Sequence, residues 1–130
     1  DELDTIFSCE YTKDSDVGTY VITPTDCTFT SDVKNNYNIE YVNGTLSIYG
    51  SSYNKTSKTV KIYSKYDTDI DCYIVSYAEN GTLDGIKKEH CSLKADKIST
   101  IDISSLKISE NDSIKIFLWD NNLTPVEITN

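Results

Sequence analysis

The stretch NNYNIEYVNGTLSIYG, residues 35–50, alternates apolar and polar residues on both sides of Asn43-Gly44. Asn-Gly suits a two-residue hairpin turn because both positions accept a positive φ. With that turn, Val42 faces Thr45, Tyr41 faces Leu46 and Ile39 faces Ile48. Tyr37, Ile39, Tyr41, Leu46 and Ile48 then share one face, and Asn38, Glu40, Thr45 and Ser47 share the other. A slip of one residue would send the whole apolar set to the wet side, so pairing and alternation support each other. The stretch predicts a strand pair with one buried face. Asn43 and Gly44 are fold determinants in this reading, and they leave no reactive group at the turn.

The same period of two extends in both directions. TIFSCEY (5–11), GTYVIT (18–23) and CTFT (27–30) are short runs rich in β-branched and aromatic residues, separated by the turn chemistry of KDSDV and PTD. GSSYNKTS (50–57) is small and polar without periodicity, and it predicts a linker over 51–57. Beyond it lie KTVKIYSKY (58–66), DIDCYIVSYAE (69–79), TLDGIKKEHCSL (82–93), ISTIDIS (98–104), SIKIFLWD (113–120) and PVEIT (125–129). Only SSLKISEND (104–112) has the makings of a helical turn. Short strands with turn signals at this spacing predict an all-β chain of antiparallel strands. The expected organisation is a partial small β module over 1–50, the linker, and an Ig-like or fibronectin-like β-sandwich over 58–130.

A chain of 130 residues has room for one ordinary domain or two very small ones. Hydrophobic residues at 38% and charged residues at 25% place it between disordered and membrane compositions. No run approaches the ~18 apolar residues of a membrane-spanning helix, so no membrane insertion is expected. The net charge is −9 and all 12 basic residues are lysines, which argues against a basic groove for nucleic acid. The chain has no methionine and no basic-then-apolar leader, so it is expected to be a segment of a longer precursor.

Two parts of the chain resemble modules of large secreted or wall-attached proteins of Gram-positive bacteria, clostridia above all. Gly18, Thr19, Tyr20 and Ile22, followed by Asn36, Tyr37, Ile39, Tyr41, Gly44, Thr45 and Leu46, resemble the closing half of an MBG-type surface repeat over about 3–49. That family carries further strands ahead of this point, so the resemblance implies a truncated module with an unpaired strand edge, which invites association. CYIVSYAENGTLDGI (72–86) and IKIFLWDNNLTPV (114–126) resemble a small β-sandwich module of clostridial surface proteins and polysaccharide hydrolases, with Phe117-Leu118-Trp119-Asp120 its most distinctive run. The resemblance implies an accessory or spacer role and no catalytic residues.

Cys9, Cys27, Cys72 and Cys91 divide two and two between the expected halves, and in an exported protein four cysteines permit three disulfide connectivities. Half-wise pairing, Cys9 with Cys27 and Cys72 with Cys91, would add roughly 3 kcal/mol per bridge in the chain-entropy account. A two-residue turn at Asn80-Gly81, however, sets Val75 opposite Ile86 and Cys72 opposite Glu89, leaving Cys91 two positions away. A bulge or longer loop is then needed, since Cα atoms beyond ~7 Å are not bridged. Buried free thiols are the alternative. Structural zinc is disfavoured because the short Cys-x-x-Cys arms are missing.

Asp67, Asp69 and Asp71 are spaced like the first ligands of a calcium loop, but Cys72 stands where glycine is needed and Ala78 where a bidentate Glu is needed. That leaves a surface calcium site, against solvated loop carboxylates. His90 is the sole histidine, which excludes a histidine metal triad and an HExxH helix; it reads as a strand side chain. There is no Gly-x-Ser-x-Gly elbow and no phosphate-cradling loop, so no catalytic residue, enzyme activity or cofactor is expected. Five Asn-x-Ser/Thr sequons, at Asn43, Asn54, Asn80, Asn111 and Asn122, read as products of composition.

Ile114, Ile116 and Leu118 share one face of their strand, and Lys115, Phe117 and Trp119 share the other. If the first set faces the core, Phe117 and Trp119 form a candidate ligand-binding surface; the competing reading is that neighbours cover both faces. The expected function is an extracellular, non-catalytic spacer or adhesion module of a secreted or wall-attached bacterial protein. Its expected partners are other domains of the same precursor, with a glycan or a host or cell-wall surface as ligand. The alternative is a carbohydrate-binding accessory module of a secreted polysaccharide hydrolase.

Overall fold

The computed structural model describes residues 3–29 and 38–130, and Asn36 and Tyr37 lie outside that range. The chain is all-β, with three antiparallel sheets among the described residues. The strands are β1 (Leu3–Cys9), β2 (Gly18–Phe29), β3 (Gly44–Ile48), β4 (Gly50–Asn54), β5 (Thr59–Tyr63), β6 (Thr68–Tyr77), β7 (Leu83–Leu93), β8 (Ile98–Asp102) and β9 (Ser113–Trp119). The chain divides into two compact units, one from the described residues of Asp1–Ser15 and Thr19–Ser47, the other from Asp16–Gly18 and Ile48–Asn130.

The second unit is a sandwich of sheets β4-β5-β8 and β7-β6-β9. The sheets arise because branched apolar residues recur at every second position and must leave water together. Val60 and Ile62 on β5 and Ile101 on β8 meet Ile70, Cys72 and Ile74 on β6 and Cys91 and Leu93 on β7. Ile103 and Ile128 complete the buried layer, against which Tyr53, Ile114, Ile116 and Leu118 pack. Each fully buried isoleucine or leucine contributes on the order of 1.5–3 kcal/mol. The strand order, first, second and fifth on one sheet and third, fourth and sixth on the other, is that of immunoglobulin-like sandwiches.

PVEIT (125–129) lies alongside β9 without forming a full strand: Trp119 bridges Pro125, and Val126 N–H donates to Leu118 O at 2.9 Å. Lys65 N–H donates to Ile128 O, so the same segment also reaches the end of β5. SSLKISEND forms no helical turn; Leu106 N–H to Ile103 O and Asp112 N–H to Ser109 O close two separate reverse turns.

The expected linker is a strand. β4 pairs with β5, Gly50 opposite Tyr63 and Asn54 opposite Thr59. Small polar residues serve there because β4 is an edge strand whose outer face is polar. Ser52 and Asn54 hold Asp16, through Ser52 Oγ to Asp16 Oδ1 and Asn54 Nδ2 to Asp16 Oδ2, both 3.2 Å, and Lys61 lies 3.5 Å from the same carboxylate. Val17 N–H donates to Ser52 Oγ, and Val17 is buried. The start of the GTYVIT run is thereby part of the second unit.

The Asn80-Gly81 register and the observed one agree over most of the hairpin, with Cys72 opposite Glu89 and Val75 opposite Ile86. The connection itself differs. Gly81 N–H donates to Ala78 O, Ala78 N–H donates to Thr82 O, and Gly81 has φ +86°, which makes a three-residue loop with glycine in the left-handed position. That loop shifts pairing by one, Tyr77 opposite Leu83, and a bulge at Asp84 restores it at Ser76 opposite Gly85.

The first unit is the sheet β1-β2-β3. GTYVIT and the Cys27–Phe29 part of CTFT join into the single strand β2, Thr30 lies outside the described residues, and the PTD segment expected as a turn is a bulge. Ile6 pairs with Asp26 and Phe7 with Pro24, so Thr25 is the extra residue, and a bulge tolerates a proline that lacks an N–H. The Asn43-Gly44 hairpin does not form. Residues 38–43 are not strand, neither Asn43 nor Gly44 has a positive φ, and β3 pairs with β2. A lone hairpin is marginal in water, whereas β2 offers a sheet already begun. The alternation of β3 survives, with Leu46 and Ile48 half-buried and Thr45 and Ser47 exposed, while Tyr41 is exposed.

Gly85 has a close approach to satisfy. A Cβ there would lie 2.9 Å from Leu106 Cδ1, 3.0 Å from Lys107 O and 3.1 Å from Ser76 Oγ, and Ser76 Oγ donates to Lys107 O at 2.7 Å. Gly85→Ala is expected to destabilise the second unit by about 1–3 kcal/mol, as overpacking against backbone does. Urea denaturation followed by Trp119 fluorescence measures it.

Candidate functional site

The ladder places three strands' outward side chains side by side on the β7-β6-β9 sheet. Asp71 lies between His90 and Trp119, Tyr73 between Lys88 and Phe117, and Val75 between Ile86 and Lys115. Because alternate residues share a face, Ile114, Ile116 and Leu118 turn to the core and Phe117 and Trp119 turn away from it.

The rings make one apolar surface. The Trp119 centroid is 5.0 Å from Tyr73 and 5.0 Å from Phe117, in tilted arrangements. Lys88 Nζ stands 5.7 Å over the Tyr73 ring and Lys115 Nζ 5.6 Å over that of Tyr77. Val75 is only 5% exposed although it faces outward, so the rings and lysine stems beside it lie across the sheet rather than projecting from it. Tyr73, Phe117 and Trp119 remain half-buried. Such a layer has the form of a stacking platform: apolar ring faces at the surface with polar groups at the margin.

Polar groups border it. Asp71 accepts from His90 Nδ1 at 3.0 Å and lies 3.7 Å from Lys88 Nζ. The His90 hydrogen bond, helped by Lys88, holds the Asp71 carboxyl below its ordinary value despite partial burial. On the other side of Trp119, a groove of about 410 Å³ runs along β9, lined by Ser51, Phe117, Trp119, Pro125, Val126 and Glu127 among others. Glu127 is held by Thr129 through its backbone N–H and its hydroxyl, which depresses the carboxyl's pKa. The sequence placed Lys115 on the face of Phe117 and Trp119, but Tyr73, Tyr77 and Lys88 were not singled out by it. Period two along DIDCYIVSY puts Tyr73 and Tyr77 on one face, but their meeting with Trp119 depends on β6 pairing with β9.

The remaining sequence candidates do not converge. Asp67 accepts the Ala95 N–H at 2.8 Å, Asp71 is engaged by His90 and Lys88, and among the described residues no cluster of His, Cys, Asp and Glu is suited to a metal ion. All four cysteines are free thiols. Cys27 is opposite Thr5, four residues from Cys9 along β1, a separation of roughly 13 Å that rules out the Cys9–Cys27 bridge. Cys91 is opposite Ile70, which makes it the diagonal neighbour of Cys72, about 7–8 Å between Cα atoms and beyond ordinary bridging reach. Burial pushes the Cys72 thiol up to about 12, with Cys91 adding to it, and burial also raises Cys91.

The model of the MBG domain family (YGX type) matches residues 1–47. That segment is similar to MBG repeats, a domain family associated with bacterial surface and extracellular proteins. The match takes in none of 58–129. Neither the curated proteins nor the solved structures contain a match to the chain.

Thiol reactivity tests the cysteine assignment. Native protein treated with iodoacetamide near pH 7.5 is expected to gain one label rapidly, on exposed Cys9, and four only after denaturation without reductant. Peptide mass mapping reads both; fewer than four labels in the unfolded chain would mean a bridge is present.

Proposed function

We propose that this chain is a non-catalytic spacer and adhesion module of a larger secreted or cell-wall-attached bacterial surface protein, with other domains of that protein as its neighbours. The observation that carries this reading is the MBG match over residues 1–47, since that family is associated with bacterial surfaces. The sandwich that follows fits the role, because its interior is a continuous apolar layer between two sheets. The resemblance of residues 58–129 to the sandwich modules of clostridial surface proteins points the same way. The test is direct. An antibody raised against the sandwich is expected to label unpermeabilised cells of the source bacterium, and labelling only after permeabilisation would overturn the reading.

The aromatic face favours a second reading, in which the module binds carbohydrate. Tyr73, Phe117 and Trp119 offer contiguous ring faces, and Lys88, Lys115 and Glu127 offer polar partners beside them. Neutral hexopyranose polymers suit it best, since their apolar C–H faces stack on rings and their hydroxyls take hydrogen bonds from both kinds of charge. Titration with cell-wall and plant polysaccharides is expected to shift Trp119 emission. Trp119→Ala, at an outward-facing and half-buried position, is expected to keep the all-β circular dichroism spectrum and to weaken binding at least about tenfold by isothermal titration calorimetry, in keeping with an anchoring aromatic. A flat response across the panel leaves the spacer role alone.

A further inference from the structure

The tetrapeptide Asn-Gly-Thr-Leu occurs twice in the chain, at residues 43–46 and 80–83. Local chemistry is the same in both places, so a difference in reactivity between them comes from the fold. Asparagine is thermolabile, and most so before glycine, which has no Cβ to crowd its nitrogen as it approaches the side-chain amide carbon.

At 80–83 the fold accounts for both residues and ties both reacting groups. Gly81 has φ +86°, a conformation that favours glycine, and its N–H donates to Ala78 O at 2.8 Å. Asn80 Oδ1 accepts from the Thr82 N–H at 3.1 Å and from the Thr82 hydroxyl at 2.6 Å, so the amide is held toward Thr82. At 43–46 the hairpin that the sequence assigned to Asn43-Gly44 does not form, which leaves the pair without the role read for it. Gly44 has no positive φ, and among the described residues a Cβ there would meet only Ile22, at 3.7 and 3.9 Å, an ordinary contact. Neither backbone conformation nor packing calls for glycine at this position. Asn43 is exposed, it lies outside the strands, and its side chain makes no hydrogen bond among the described residues.

We propose that Asn43 is a site of spontaneous deamidation, in which the Gly44 nitrogen displaces the Asn43 side-chain amide through a cyclic imide. The Gly44 N–H gives up its proton, its nitrogen bonds to Asn43 Cγ, and the Cγ–Nδ2 bond breaks, so that Nδ2 leaves as ammonia with that proton. Water then opens the ring at either carbonyl and leaves aspartate or isoaspartate at position 43. Water is the sole co-reactant, and nothing is oxidised or reduced. Each event adds one negative charge to a chain already at −9, and the isoaspartate product places an extra backbone carbon just ahead of β3.

Peptide mapping of the intact chain after incubation in mildly alkaline buffer tests this, since base favours loss of the amide proton. Conversion is expected at Asn43, and at least about tenfold slower at Asn80, where hydrogen bonds hold both reacting groups. In urea, where only the shared tetrapeptide remains, the two rates should converge. Equal native rates, faster conversion at Asn80, or a contrast that survives in urea would each overturn the proposal. Isoaspartate among the products is the signature of the imide, and aspartate alone would also overturn it. Gly44→Ala, which the space beside Ile22 admits, should slow conversion at Asn43 at least about tenfold by crowding the attacking nitrogen. Unchanged conversion in a variant that keeps the all-β circular dichroism spectrum would remove Gly44 from the reaction, and the comparison of Asn43 with Asn80 in the unmodified chain decides the matter whether or not that variant folds.

Discussion

The burial of one layer of branched side chains between two small sheets is the interaction on which the second unit depends. Val60 and Ile62 on one sheet, and Ile70 and Ile74 on the other, are essentially without solvent exposure. No covalent staple assists them, since Cys72 and Cys91 occupy the same layer as thiols and act there as small apolar groups. Even the polar groups in the interior conform: Ser64 Oγ donates to Tyr66 O and accepts the Tyr66 N–H, and Ser76 Oγ donates to Lys107 O. Hydrogen bonds made on folding keep these hydroxyls from being orphaned away from water.

The outer face follows from the inner one. Once Ile114, Ile116 and Leu118 are committed to the core, the pleat obliges Phe117 and Trp119 to face away from it, and pairing with β6 sets Tyr73 beside them. The platform is thus a by-product of burying the opposite side, and its rings are oriented by mutual contact and by the lysines laid across Tyr73 and Tyr77. A site built this way sits on strands, which hold their side chains more rigidly than loops do.

The first unit is constructed on different terms. Of the side chains described there, only Cys27 is fully buried, and Ile6, Phe7, Val21 and Val42 are exposed. A three-stranded sheet with so little apolar burial among its described residues gains little from the hydrophobic effect. The second unit, with the Asp16 carboxylate held by Ser52, Asn54 and Lys61, takes Asp16–Gly18 as its own.

By itself the sequence determined the all-β class, the positions of most strands, the core side of β9 and the Cys72–Glu89 register, because each depends on alternation along a single run and alternation is a local property. It also implied an MBG-like segment from spaced residues that the family model matches over 1–47. Only the tertiary structure decided that residues 50–54 are an edge strand, that β3 joins β2 instead of folding back on residues 38–42, and that PTD is a bulge inside a strand. Partner choice is a competition between distant segments, and there a favourable Asn-Gly turn lost to a longer strand. The Asn80-Gly81 register came out right through two one-residue departures that cancel, a loop of three and a bulge at Asp84. The platform was half legible for the same reason: period two exposes Phe117 and Trp119, but the fold alone brings Tyr73 to them.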